Sequence, residues 1–106
     1  MMDKKFKDLK IGDYIWYYDH CKLHRQKITK AEIITNTEEI SFSFGYNKKI
    51  YVAKEIYIEA GKGTKMFISS YYFDKDEYLW RGIPRFSNYT SAKRYVNRLI
   101  YYRKKE

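Results

Sequence analysis

The hydrophobic pattern of the chain changes its period once, and that change sets the order of its structural elements. Within residues 40–44, apolar and serine side chains alternate strictly, which is the pattern of a half-buried strand. From Ala92 to Tyr102, apolar residues recur three or four positions apart, which places them on one stripe of a helix. The sequence therefore predicts strands first and a single helix at the end.

Glycine and polar clusters divide the region before the helix into short strands. We predict strands at residues 14–18, 26–35, 40–44, 50–58, 65–73 and 78–80, with a bulge near residues 53–54. Turns are predicted at residues 36–38, 45–48, 61–63 and 74–77, and Gly82 and Pro84 end the last strand. The helix is predicted from Tyr89 to Arg103, with Asn88 as its N-cap residue.

Consecutive short strands followed by one helix predict an α+β fold. We expect a five- or six-stranded antiparallel curved sheet, or a small barrel, followed by one C-terminal helix. The length of 106 residues fits a single domain, 1–106. Within it we expect a flexible N-terminus (residues 1–8), a β-rich core (9–80) and a basic C-terminal helix (88–105).

Two stretches resemble known kinds of small protein. FKDLKIGDYIWYY, residues 6–18, has an apolar residue three positions before Gly12-Asp13 and an alternating strand after it, and it resembles the opening of SH3-like small barrels. RFSNYTSAKRYVNRLI, residues 85–100, resembles the closing helix of small bacterial and phage proteins. In size and composition the chain is similar in kind to accessory proteins of phages or mobile elements, including anti-CRISPR proteins. That resemblance implies binding to a defence nuclease or its guide RNA.

Charge is distributed unevenly along the chain. There are 22 Lys and Arg residues against 13 Asp and Glu residues, a formal net charge of +9. Eight of the basic residues and only one of the acids, Glu106, lie within residues 81–106. A basic excess concentrated in one segment indicates a polyanionic partner. AT-rich codon usage would also raise the lysine content, but it explains the clustering less well.

The C-terminal segment therefore supplies the main candidate binding residues. Its cations lie away from the apolar stripe of the predicted helix, where arginine can form bidentate bonds to phosphate and tyrosine can stack on bases. The alternatives are a solvated polar face or a membrane-surface helix, and the second is disfavoured because the core needs the stripe. The candidates for nucleic-acid or partner binding are Arg81, Arg85, Lys93, Arg94, Arg98, Tyr101, Arg103, Lys104 and Lys105.

The stretch DHCKLH, residues 19–24, holds the only cysteine and both histidines. A structural zinc site needs four ligands in a tetrahedron, and adjacent His20 and Cys21 are poorly placed to share one ion. A cysteine nucleophile needs an orienting group and an oxyanion hole that no motif supplies. We therefore predict a hairpin loop that forms a secondary binding surface, with no metal and no catalytic residue. Its candidates are His20, Lys22, His24, Arg25 and Lys27.

Other motifs fail on their spacing. The acidic turn at residues 74–77 lacks the length and glycine of a calcium loop, although it can pair with the basic C-terminal segment. The glycines at 61 and 63 do not complete a phosphate-binding loop. No apolar run is long enough to cross a bilayer, and no signal peptide is recognisable. We expect a protein without membrane association in the cytoplasm of a bacterial host.

These observations favour a non-enzymatic binding protein without a cofactor. The expected partner is RNA or a nucleic-acid-bound protein complex, including a host nuclease that a phage-type inhibitor would block. One alternative is a protein-protein interaction module that does not contact nucleic acid. A small metal-dependent or cysteine-dependent enzyme is the third hypothesis.

Overall fold

A computed structural model describes the backbone of residues 3–41 and 48–105, with side chains over residues 3–38 and 50–101. Short 3-10 turns lie at Phe6–Asp8 and Ser70–Tyr72. The larger elements are β1 (Tyr14–Asp19), β2 (Lys22–Ser41), β3 (Lys48–Ala60), β4 (Thr64–Ser69), β5 (Glu77–Trp80), β6 (Ile83–Phe86) and α1 (Tyr89–Lys105). The predicted order of strands followed by one C-terminal helix is confirmed.

The strands form one six-stranded antiparallel sheet in the order β4-β3-β2-β1-β6-β5. The sheet curls into a half-barrel, as the predicted curved sheet required. Strand β2 belongs to both halves, because Lys22–Lys27 pair with β1 and the rest pairs with β3. The register shifts between Ile28 and Lys30, and such a shift bends a strand and increases its twist.

The concave face of the sheet carries the hydrophobic core. On β3 and β4, alternate residues point inward because successive side chains of a strand face opposite sides. Ile56, Ile58, Met66 and Ile68 are buried in this way, and Ile15 of β1 joins them. Burial of each such side chain contributes roughly 1.5–3 kcal/mol of transfer free energy. The cluster therefore holds the part of the sheet that contains β1 against the part that contains β3 and β4.

The N-terminal segment is anchored to this core, which differs from the flexible N-terminus predicted for residues 1–8. Phe6 is 0% exposed, and its N–H donates to the carbonyl of Lys75 at 3.1 Å. The Lys5 ammonium lies 3.4 Å from Asp76 Oδ2, and Lys7 forms an ion pair with Asp74. Phe6, the backbone hydrogen bonds and these ion pairs together hold residues 3–8 against the body of the protein.

The centre of the chain pairs more regularly than the sequence suggests. The turn predicted at residues 36–38 is wrong, because these residues continue β2 and pair with Ala53, Val52 and Tyr51 of β3. The bulge predicted near residues 53–54 is also wrong, since the register is continuous there. Residues 40–41 end β2, whereas the rest of the predicted strand 40–44 falls outside the described residues. So do residues 45–47 of the turn predicted at 45–48, and its last residue, Lys48, begins β3.

The β2–β3 hairpin projects from the body as an arm. Strand β4 pairs with β3 only from Glu55 onward, so the arm beyond that point is a two-stranded ribbon. The radius of gyration is 17.4 Å, against about 13 Å for a compact domain of this length. On the face continuous with the core, the arm exposes 63% of Ile33, 66% of Ile50 and 61% of Val52. The arm therefore carries an apolar stripe into solvent.

Strand β6 is not predicted by the sequence pattern. Arg81 and Gly82 form a two-residue turn with φ values of 52° and 77°, which is the geometry of a type I′ hairpin. Pro84 follows, beyond the last residue pair that joins β6 to β1. Proline is tolerated where a strand has a neighbour on one side only. Gly82 and Pro84, from which we predicted the end of the sheet, therefore lie in its last hairpin.

Helix α1 confirms its predicted start. Asn88 Oδ1 accepts a hydrogen bond from the N–H of Ser91 at 2.8 Å, so Asn88 is the N-cap residue. Asn88 Nδ2 also donates to the carbonyl of Lys4 at 2.9 Å, which ties the helix to the N-terminal segment. Ala92 is 0% exposed. Among the described residues, no helix has the length and apolar character needed to span a membrane.

Candidate nucleic-acid interface

The DHCKLH stretch contains a tight turn in place of the predicted longer loop. His20 and Cys21 have φ values of 50° and 63°, and Asp19 pairs directly with Lys22. Two consecutive residues with positive φ define a type I′ hairpin turn. The prediction of a loop up to His24 is therefore wrong, since β2 begins at Lys22.

Because these residues lie in a strand, they alternate between the two faces of the sheet. Arg25 is opposite Trp16, and Lys27 is opposite Tyr14, on the face that carries the helix. His24 is opposite Tyr17 on the concave face, where their rings stack with centroids 4.9 Å apart. The structure therefore divides the predicted secondary binding loop, and only Arg25 and Lys27 join the helix side.

Aromatic rings connect Arg25 to the helix. The Arg25 guanidinium lies 4.4 Å from the ring centroid of Tyr14 and 5.9 Å from that of Trp16. The Trp16 ring in turn lies 5.0 Å from the ring of Tyr89, the first residue of α1. We call this surface the cationic face. Its members are Tyr14, Trp16, Arg25, Lys27, Tyr89, Lys93 and Arg94.

The helix completes the cationic face with exposed side chains. Lys93 follows Tyr89 by one helical turn, so the two side chains lie on the same side of α1. Lys93 and Arg94 are exposed, and Tyr89 is 52% exposed. These residues line an open depression of about 370 Å³ together with Thr90 and Asn97. The depression offers cations and a ring to a ligand without burying it.

Arg98 is engaged within the protein. Its guanidinium donates to Glu77 Oε1 at 2.7 Å and lies 5.9 Å from the ring centroid of Tyr95. The predicted pairing of the acidic turn with the C-terminal helix therefore holds for Glu77. Asp74 and Asp76 instead pair with the N-terminal lysines. Arg98 can still reach a phosphate, but only in competition with Glu77.

The remaining helix candidates lie further along the chain. Tyr101 is 55% exposed. Arg103, Lys104 and Lys105 continue the helical backbone, and their side chains fall outside the described residues. Arg81 is exposed in the β5–β6 turn, with its guanidinium 5.6 Å from the Trp80 ring centroid.

Arg85 lies elsewhere, which differs from its predicted place among the surface cations. It is 8% exposed and lies opposite Tyr17 and Tyr78 in the sheet, on the concave face. Its guanidinium is 5.2 Å from the Tyr17 ring centroid. Burial lowers the pKa of Arg85, and the Tyr17 hydroxyl and the Asp19 carboxylate oppose that effect. Arg85 is therefore not part of the cationic face.

The sequence identified Arg25, Lys27, Lys93 and Arg94 as candidates, but it did not predict that they lie on one surface. The alternating aromatics of β1 were the available signal, because Tyr14 and Trp16 share one face. Their opposite residues depend on the length of the turn. A two-residue turn places Trp16 against Arg25, whereas a longer loop would shift the register.

No protein-family model, no curated protein and no solved structure matches this chain. The functional interpretation therefore depends on the geometry of its own residues.

Proposed function

We propose that the protein is a non-enzymatic binding protein whose cationic face binds RNA through its phosphates. The observation that carries this proposal is the continuous line of side chains from Arg25 through Trp16 to Tyr89. It joins cations that lie about 70 residues apart in the sequence into one surface with exposed rings. Curling of the sheet also supports the resemblance of residues 6–18 to an SH3-like opening.

The physical argument is electrostatic. Arginine stacked on a ring keeps its donors available for phosphate, and each neutralised phosphate releases counterions. Tyr89 can add stacking on an unpaired base. The face presents cations and rings in place of a pattern of base-reading groups, so it binds with weak sequence preference and strong salt dependence.

The test is a salt titration with single-stranded RNA. Affinity is measured by fluorescence anisotropy between low and moderate salt for the wild type and for Arg25→Gln/Lys93→Gln/Arg94→Gln. Because the variant has three fewer cations to neutralise phosphates, the log–log salt slope is expected to fall by about 2 and the low-salt affinity by at least tenfold.

The matched control removes three exposed lysines on the β3–β4 side of the molecule. Lys54→Gln/Lys62→Gln/Lys65→Gln has the same net charge as the first variant. It is expected to keep most of the affinity. Equal losses in both variants would mean that net charge, and not the cationic face, holds the RNA.

The exposed arm favours a second candidate, a protein-protein interaction. Ile33, Ile50 and Val52 form an apolar stripe that a protein partner could cover. A phage-type inhibitor of a nucleic-acid-targeting nuclease would combine both surfaces, with the cationic face on guide RNA and the arm on protein. A pull-down from host lysate with and without RNase separates the two functions. A partner that persists after RNase favours the protein contact, and a partner lost with RNase favours RNA.

A further inference from the structure

The β2–β3 arm lacks a third strand and a covering layer on one of its faces. Strand β1 pairs with β2 only as far as Lys27, and β4 pairs with β3 only from Glu55, so neither edge of the arm pairs with another described strand. Ile33, Ile50 and Val52 are largely exposed on the face that continues the core. A two-stranded ribbon is only marginally stable in water, so a partner that covers this face would stabilise the arm.

The strand register defines the composition of this apolar face. Thr35 is opposite Lys54, and Thr37 is opposite Val52, on the same side as Ile33. Within residues 33–37 and 50–54, every side chain on this side except that of Lys54 is β-branched. Stiff β-branched side chains form a surface that packs well against the face of a second sheet. The Lys54 stem can lie along such a contact while its ammonium stays in solvent.

The charge of the arm differs from that of the rest of the molecule. Residues 30–55 contain four lysines and four glutamates, so their formal net charge is zero, and the remaining residues carry the whole charge of +9. Two copies of the protein therefore repel each other through their bodies but not through their arms. A polyanion, by contrast, has no net attraction to the arm. The charge distribution favours a second copy as the occupant of the apolar face.

We propose that the arm associates with the arm of a second copy, apolar face against apolar face, in a two-fold symmetric dimer. A two-fold axis brings the same patch of each copy together, so Ile33, Ile50 and Val52 are covered by their counterparts. The ribbon from Lys48 to Lys54 is about 23 Å long, at about 3.3 Å per residue. Such a contact lies at the low end of specific interface areas, so we expect a reversible dimer with a dissociation constant of roughly 10–100 µM.

The first test is sedimentation velocity of the wild-type protein without RNA, from micromolar to millimolar concentration. A reversible monomer–dimer equilibrium is expected. Added salt should strengthen the dimer, because it screens the repulsion between the cationic bodies and does not weaken an apolar contact. A protein that stays monomeric over the whole range would contradict the proposal. A dimer that salt weakens would also contradict it, since that result indicates a contact between opposite charges.

A pair of matched variants assigns the dimer to the apolar face. Ile33→Thr/Val52→Thr keeps β-branched side chains, removes apolar surface from both copies, and is expected to weaken the dimer at least tenfold. Ile11→Thr/Leu79→Thr is the control, because these side chains are 69% and 65% exposed elsewhere, against 63% and 61% for the arm pair. Urea unfolding verifies that both variants fold. Equal weakening in the two variants would overturn the assignment to the arm.

The location of the contact can also be observed by NMR as the protein concentration is raised. Backbone amide signals of Ile33, Thr35 and Val52 are expected to shift, whereas those of Lys93 on the cationic face are expected to stay in place. Arg25→Gln/Lys93→Gln/Arg94→Gln should dimerise at least as well as the wild type, so failure of RNA binding and failure of the dimer are measured separately. Loss of the dimer in that variant would place the contact on the cationic face and overturn the proposal.

A different protein is the other possible occupant of the apolar face, and a pull-down distinguishes it. The wild type and Ile33→Thr/Val52→Thr are compared in host lysate treated with RNase. Dimerisation of the purified wild type supports the second copy. If the wild type is monomeric when pure and captures a protein that the variant does not, the arm serves that protein and the proposal is wrong.

Discussion

The two faces of strand β1 use arginine in opposite ways. On the helix side, Arg25 lies exposed over Tyr14 and Trp16, where its charge remains solvated. On the concave side, Arg85 lies over Tyr17 with only 8% of its surface exposed. A solvated cation costs the fold little stability, so that several such cations can act together on one partner. A buried cation destabilises the fold, but its fixed surroundings can select one ligand. The same pairing of arginine with an aromatic ring therefore occurs once in a solvated setting and once in a buried one.

The largest expected difference between the faces concerns stability. Phe6 is fully buried beneath the concave face and meets the Tyr78 ring edge-on at 6.2 Å. Phe6→Ala is expected to lower the free energy of unfolding by about 3–5 kcal/mol. Tyr89→Ala, a truncation on the cationic face, is expected to cost less than about 1 kcal/mol. Urea unfolding measures both. A similar loss for the two variants would show that the cationic face is as structural as the core.

The next substitution is expected to stabilise the protein, in contrast to Phe6→Ala. Because Arg85 is buried and its Nε makes no hydrogen bond to a described residue, Arg85→Met is expected to raise the free energy of unfolding by about 1–2 kcal/mol. Arg94→Met, on the exposed helix surface, is expected to change it by less than about 0.5 kcal/mol. Thermal and urea unfolding check the pair. A destabilised Arg85→Met variant would mean that the guanidinium contributes to the fold.

The N-terminus of the helix links the two faces, and substitutions there should change the free energy of unfolding by a smaller amount. Asn88 caps α1 through its Oδ1 and holds the Lys4 carbonyl through its Nδ2. Asn88→Ala is expected to cost about 1 kcal/mol, because it removes the cap. Asn88→Asp keeps the cap acceptor and loses only the donor to Lys4. Urea unfolding of both variants therefore separates the cap from the tie to the N-terminal segment, and equal losses would place the whole effect on the Lys4 contact.

The order of strands and helix could be predicted from the sequence, because hydrophobic periodicity depends only on which residues are apolar. It does not depend on the tertiary contacts that these residues make. The alternation in β3 and the stripe from Ala92 to Leu99 are properties of neighbouring residues. The anchored N-terminus could not be predicted in the same way. Its single core residue, Phe6, follows two lysines, and a solitary apolar residue has no period.

The candidate site was only half predictable for a related reason. The cations could be found in the sequence, but their faces depend on turn lengths that the sequence disguises. His20 and Cys21 adopt positive φ without the usual asparagine or glycine, so the turn resembles a loop in the sequence. Gly82 and Pro84 indicate the end of the sheet, which places Arg85 at the surface in a prediction from sequence. A change of register by one residue moves every side chain to the other face.

The last expected effect is the dependence of stability on pH. Burial alone would raise the pKa of Asp13, but the Lys4 ammonium at 2.8 Å and the Lys10 N–H at 2.9 Å outweigh it and hold that pKa below 3.8. The unfolded state therefore binds more protons near and below that value. The contribution of Asp13 is complete at neutral pH and is lost as the pH falls through the folded-state pKa.

Asp13→Asn should consequently reduce the difference in the free energy of unfolding between acid and neutral pH. Urea unfolding at pH 7, 5 and 3 is expected to show little change between the first two values for the wild type and a fall at pH 3. In Asp13→Asn the fall is expected to be smaller, since one group with a depressed pKa is gone. Glu38→Gln, on the arm, is a suitable control, because its carboxylate makes no ion pair with a described residue. An unchanged acid fall in Asp13→Asn would mean that the ion pair between Lys4 and Asp13 contributes no pH-dependent stability.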